Sequence, residues 1–62
     1  MAEYQFIIDD GRSVDLGIET VDAMDNEEAE LLARMRLASS PTVQKIIVMK
    51  RSLQIAVIDQ TN

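Results

Sequence analysis

Residues 4–20, YQFIIDDGRSVDLGIET, decide the fold. Tyr4, Phe6 and Ile8 fall on one side of an extended chain, with Gln5 and Ile7 on the other. This two-residue period marks a half-buried strand, Tyr4 to Ile8. Asp9-Asp10-Gly11-Arg12 then interrupts it. Aspartate followed by glycine between two alternating runs predicts a hairpin turn, because glycine takes positive φ at little cost and aspartate tolerates it. The return strand is predicted over Ser13–Thr20, with Val14, Leu16 and Ile18 toward a core and Asp15, Gly17 and Glu19 toward water.

Downstream, Asp25-Asn26-Glu27-Glu28 is a helix start. Asp25 serves as N-cap and Glu28, three residues on, as its capping-box partner, and the acids sit at the positive end of the helix dipole. The helix is predicted to run to about Ala38, with Leu31, Leu32, Met35 and Ala38 as its apolar stripe. Glu27, Glu30 and Arg34 form the polar face, where Glu30 and Arg34 are spaced for an ion pair. Ser39-Ser40-Pro41 ends it, since proline disfavours helical geometry in the residue before it. Val43–Lys50 and Leu53–Asp59 are rich in β-branched residues and flank a short polar break at Arg51-Ser52, predicting a second hairpin.

The expected fold is therefore α+β: ββαββ, a four-stranded antiparallel sheet with one helix packed on one face, in a single small domain spanning 1–62. At this length only about 60% of the unfolded chain's surface is buried, so stability is expected to be modest. One helix covers one sheet face. Apolar residues among Ile7, Ile46, Val48 and Ile58 are expected on the other, where exposed apolar strips mark self-association or partner binding, a homodimer through the open face included. Covering by Lys45, Lys50 and Arg51 is the alternative.

Composition excludes several chemistries. The chain has no cysteine and no histidine, which removes Cys and His nucleophiles, His general bases and ordinary zinc sites. Its serines and threonines lack an activating base, and Asp10-Gly11-Arg12 lacks the glycine cradle and lysine of a phosphate loop. Asp9 and Asp10 could gather with Asp15 about a divalent ion, but their spacing matches no EF-hand loop and adjacent turn aspartates are more often turn formers. No enzyme, no cofactor and no metal are expected. The apolar run Ile46–Met49 is far too short for a bilayer, which takes roughly 20 residues. Met1-Ala2-Glu3-Tyr4 lacks the basic n-region of a secretory signal, so the expected location is cytoplasmic, with no membrane partner.

Charge is the strongest functional clue. The net is −5, but residues 1–30 carry ten acids and one base, a net of −9, whereas residues 31–62 carry five bases and one acid, a net of +4. Asp15, Glu19, Asp22, Asp25, Glu27 and Glu28, with Glu30, crowd into sixteen residues. An acidic chain is not expected to bind nucleic acid directly. Its carboxylates are instead expected either to form a solvated, well-capped face or to imitate a row of phosphates and occupy the nucleic-acid channel of a basic protein partner.

In size, acidity and the carboxylates concentrated from Asp15 to Glu30, the chain resembles the small phage-encoded inhibitors of bacterial defence, anti-CRISPR proteins in particular. The likeness is one of size and charge, since that class has no common motif. It implies a protein-binding inhibitor that blocks a nuclease complex with a DNA-like surface, acting in the bacterial host cytoplasm. A second likeness is to small antitoxin-type domains, through Tyr4 to Ile8 and Asp25 to Ala29. The Pro-rich segment which that family carries between strand and helix is absent here.

Overall fold

The computed structural model describes residues 1–11 and 17–59. Four strands, β1 (Ala2–Asp9), β2 (Gly17–Ala23), β3 (Lys45–Lys50) and β4 (Leu53–Asp59), form one sheet in the order β2-β1-β3-β4. Every neighbouring pair is antiparallel. A single helix, α1 (Asn26–Ala38), joins β2 to β3 and packs on one face. The architecture is ββαββ, and β1 and β3 take the two central places.

Tyr4 and Phe6 are the chain's only aromatic residues. Lying two apart in β1, they share the helix-facing side and are 1% and 2% exposed. Cross-strand pairing of Phe6 with Val48, Ile8 with Ile46 and Ile46 with Ile58 extends that side across the sheet. The Tyr4 hydroxyl, buried with its ring, donates to Asn26 Oδ1 at 2.7 Å in the first turn of α1, so its burial leaves no unpaired polar group. Lys50 Nζ lies 5.5 Å from the centre of the same ring, within cation–π range.

Asp25 is the N-cap, extended at φ −156°, and its side chain accepts from the Glu28 N–H at 2.9 Å. Glu28 reaches back one residue further than a standard capping box and accepts from the Met24 N–H at 2.8 Å. Arg34 meets Glu30 at 3.8 Å, as their spacing predicts.

The buried stripe of α1 differs from the expected one. Ala29, Ala33 and Leu37 face the sheet, with Leu32 at the margin, whereas Leu31 and Met35 are 54% and 61% exposed and Ala38 also faces out. The large side chains come from the sheet, and alanines on the helix let the two backbones approach closely. With leucine and methionine inward, Tyr4 and Phe6 would have no room.

β2 is also turned over. It pairs with β1 so that Glu19, Val21 and Ala23 share the side of Phe6, Tyr4 and Ala2, while Ile18 pairs with Ile7 on the open face and is 64% exposed. The expected inward Ile18 and outward Glu19 are thus exchanged; Val14 and Leu16 lie outside the described residues. In β3 and β4, Ile46, Val48 and Ile58 are core, and of the residues expected on the far face only Ile7 lies there.

At the first turn, Gly11 has φ +81°, its N–H is held by Asp9 Oδ1 at 2.8 Å, and a Cβ on it would run into the Gln44 side chain. The expected start of the return strand, Ser13, lies outside the described residues; the described part of β2 begins at Gly17. Between β3 and β4, Arg51 (φ 51°) and Ser52 (φ 70°) both occupy the left-handed region. That is the geometry of a two-residue type I′ hairpin, made without the usual glycine. The β3–β4 register shifts between Val48 and Met49, leaving Ile55 as an extra residue packed at the core's edge. No helix among the described residues is long and apolar enough to cross a membrane.

Candidate functional site

The six acids singled out by the sequence fall in three places. Asp15 lies outside the described residues. Glu19 lies on the helix-facing side of β2, Asp22 is exposed on the opposite side, and Asp25, Glu27 and Glu28 form the first turn of α1 with its cap.

Glu19 has a structural partner. Arg36 near the end of α1 donates from Nε to both carboxylate oxygens, at 3.1 and 3.3 Å, and from its NH2 group to Oε2 at 2.8 Å. The same guanidinium also contacts the Ser40 hydroxyl. These hydrogen bonds, opposed by partial burial and aided by the positive charge, hold the Glu19 carboxyl below its ordinary value of 4.5 and raise the Arg36 guanidinium. The fork fastens the C-terminal end of the helix to the edge strand.

Because the folded-state pKa of Glu19 lies below the unfolded one, its contribution is present above pH 4.5 and is lost as pH falls through the folded value. With side chains 43% and 35% exposed, the pair is solvent-screened and contributes at most about 1 kcal/mol. Glu19→Gln is accordingly expected to lower the urea midpoint slightly at pH 7, with the difference from wild type shrinking toward about pH 3. Urea titrations of both proteins at the two pH values check this; a gap that persists in acid would remove the ion pair as its cause.

Asp25 and Glu28 are occupied as caps and Glu30 with Arg34. Among the described residues, Asp22 and Glu27 have no ion pair or hydrogen-bond partner and remain available to a partner. Asp22 stands opposite Glu3 in the β1–β2 register, and two like charges so placed repel unless something positive approaches.

What the sequence reading missed is apolar. Met24, immediately before the cap, is 71% exposed, and Leu31 and Met35 continue outward along α1. Met24 and Leu31 line one surface depression with Asp25, Glu27, Glu28, Glu30 and Arg34. The outer face of the helix thus carries large flexible hydrophobes with carboxylates around them. A signal for this was present: Ala29, Ala33 and Leu37 repeat at four-residue spacing as regularly as Leu31 and Met35 do, giving the helix two apolar stripes of which only one can face the sheet.

Lys50 approaches from the other side, lining a neighbouring depression with Tyr4, Met24, Asp25, Asn26, Glu27 and Glu30. Comparison of the chain with protein-family models, with curated proteins and with solved structures gave no match.

Proposed function

We propose that this chain is a non-enzymatic binding protein, an inhibitor that docks through the outer face of α1 on a basic protein surface of a nucleic-acid-binding complex. The observation that carries the reading is the set Met24, Leu31 and Met35, exposed on a surface edged by Asp25, Glu27, Glu28 and Glu30. Apolar anchors ringed by charge are how interfaces divide their work: the centre supplies affinity by burial, and the rim steers association and excludes other partners. Methionine suits such a centre because its unbranched thioether adapts to the opposing surface. The sign of the rim selects a cationic partner, and proteins that hold nucleic-acid backbones present such surfaces. The resemblance in size and charge to phage anti-CRISPR inhibitors supports the same reading, with the carboxylates standing in for phosphates.

The test is capture from a bacterial lysate at low and high salt, followed by affinity measurement on the purified partner. Glu27→Gln spares the helix cap and is expected to weaken binding about threefold at low salt and less at high salt. Leu31→Ser with Met35→Ser is expected to weaken it at both. Competition by duplex DNA supports the mimic. A partner whose affinity ignores all three substitutions would overturn the proposal.

A further inference from the structure

The sheet face away from α1 carries a second apolar surface, which the preceding proposal does not use. Across all four strands the register places Ile18, Ile7, Ile47 and Val57 in one row. The next row holds Thr20, Gln5, Met49 and Gln54. These two rows contain no charge, although more than a quarter of the chain is charged. Charges on the face stand at its ends, with Asp9, Lys45 and Asp59 beyond the apolar row and Glu3 and Asp22 beyond the polar one. A charge-free centre with a charged rim is the composition of an interface core.

The layout also specifies its occupant. The apolar row is nearly symmetric about the line between β1 and β3, with isoleucines at the two inner places and Ile18 and Val57 at the outer ones. A two-fold axis lying along that line in the interface plane exchanges β1 with β3 and β2 with β4 while keeping each row on itself. Ile7 then lies over Ile47 of the second copy, Ile18 over Val57, and Gln5 over Met49. The same operation sets Asp9 over Lys45 of the second copy, twice. Within one chain the same two residues pair at 3.9 Å, so the operation brings two such pairs together with opposite charges facing. Self-complementarity of one patch is what an isologous dimer requires, and the axis direction gives the aligned packing that sheets prefer.

We infer that two copies of this chain associate face to face through this surface, forming a sandwich with the helices outermost. Four strands about 4.8 Å apart and about six residues long at about 3.3 Å each give a patch of roughly 19 by 20 Å, and so roughly 760 Å² over both copies. That is below the 1,200 Å² or so of a stable standard interface, which makes the dimer weak, with a Kd on the order of 10–100 µM. Because each copy carries a net charge of −5, salt screens the repulsion between them. Salt also screens the two Asp9–Lys45 contacts, so the dimer, held by its apolar row, is expected to respond little to salt, unlike the partner bound through α1.

Sedimentation equilibrium of the full chain from about 5 µM to about 1 mM tests the inference. A monomer–dimer equilibrium is expected, weakened at least tenfold by Ile18→Lys and by Val57→Lys, and unchanged by Leu31→Lys on the helix face. Both face residues are well exposed in the monomer, and circular dichroism melts show whether each variant still folds. Three results would overturn it: a strict monomer at about 1 mM, a dimer indifferent to both face substitutions, or a dimer dissolved by about 0.5 M salt. None of them bears on the acidic helix face, so the two proposals fail separately.

Discussion

Phe6→Ala is expected to remove about 3–5 kcal/mol of stability, enough to leave much of the population unfolded at 25 °C. The total available to 62 residues is about 3–9 kcal/mol at 0.05–0.15 kcal/mol per residue. Phe6 is 2% exposed in a central strand, flanked by Val48 and belonging to the cluster that includes Ala29, Ala33 and Leu37. Two of the three buried helix positions, Ala29 and Ala33, are too short to fill the space a missing ring would leave. The lost transfer energy is then joined by the full cost of a cavity. Phe6→Leu, which keeps most of the volume, is expected to cost less than half as much. Urea unfolding followed by far-UV circular dichroism reads both; a loss below about 1 kcal/mol for Phe6→Ala would mean that the helix does not rest on this ring.

The dependence on two aromatics explains which parts of the fold could be read in the sequence. The four strands, the helix and the pairing within each hairpin follow from local patterns: the alternation around Tyr4 and Phe6, the Asp25–Glu28 cap, and the β-branched runs either side of Arg51-Ser52. Each is a short-range signal whose physics is complete within a few residues. Facing is different, because it depends on what an element meets. In the expected return strand, Val14, Leu16 and Ile18 occupy even positions and read as an inward face, but Val21 and Ala23 occupy odd ones, and ending the strand at Thr20 hides them. A strand has only two faces, so this choice of parity exchanged Ile18 with Glu19.

The candidate site suffered the same loss of information. The acidic run was legible as composition, but not its division between capping, a strand-to-helix ion pair and free carboxylates. That division depends on Arg36 lying beside Glu19, seventeen residues away. The exposed hydrophobes of α1 could not be assigned to the outside until the bulk of the sheet face was known. Arg51-Ser52 illustrates the reverse case. A turn with no glycine gave a weak signal, yet the flanking β3–β4 pairing holds both residues at positive φ, with ladder energy overriding local preference.

Leu37→Ala and Leu31→Ala should therefore differ sharply, although both remove a leucine from the same helix. Leu37 is 4% exposed and belongs to the core, so its truncation is expected to cost about 2–5 kcal/mol. Leu31 is 54% exposed, and alanine is the better helix former, so its truncation is expected to change stability by no more than about 0.5 kcal/mol. The two positions lie about 120° apart around the helix at 100° per residue, so no rotation buries both at the centre of the sheet-facing stripe. Chemical denaturation of the pair thus fixes the rotation of α1 in solution. If Leu31→Ala proved the costlier change, the helix would be turned as its leucine-methionine stripe first implied. Met24, Leu31 and Met35 could not then all serve as anchors for a partner. If Leu37→Ala is the costlier, the helix rests on its alanines, and its two large outward side chains, which contribute little to the fold, are free to contact another molecule.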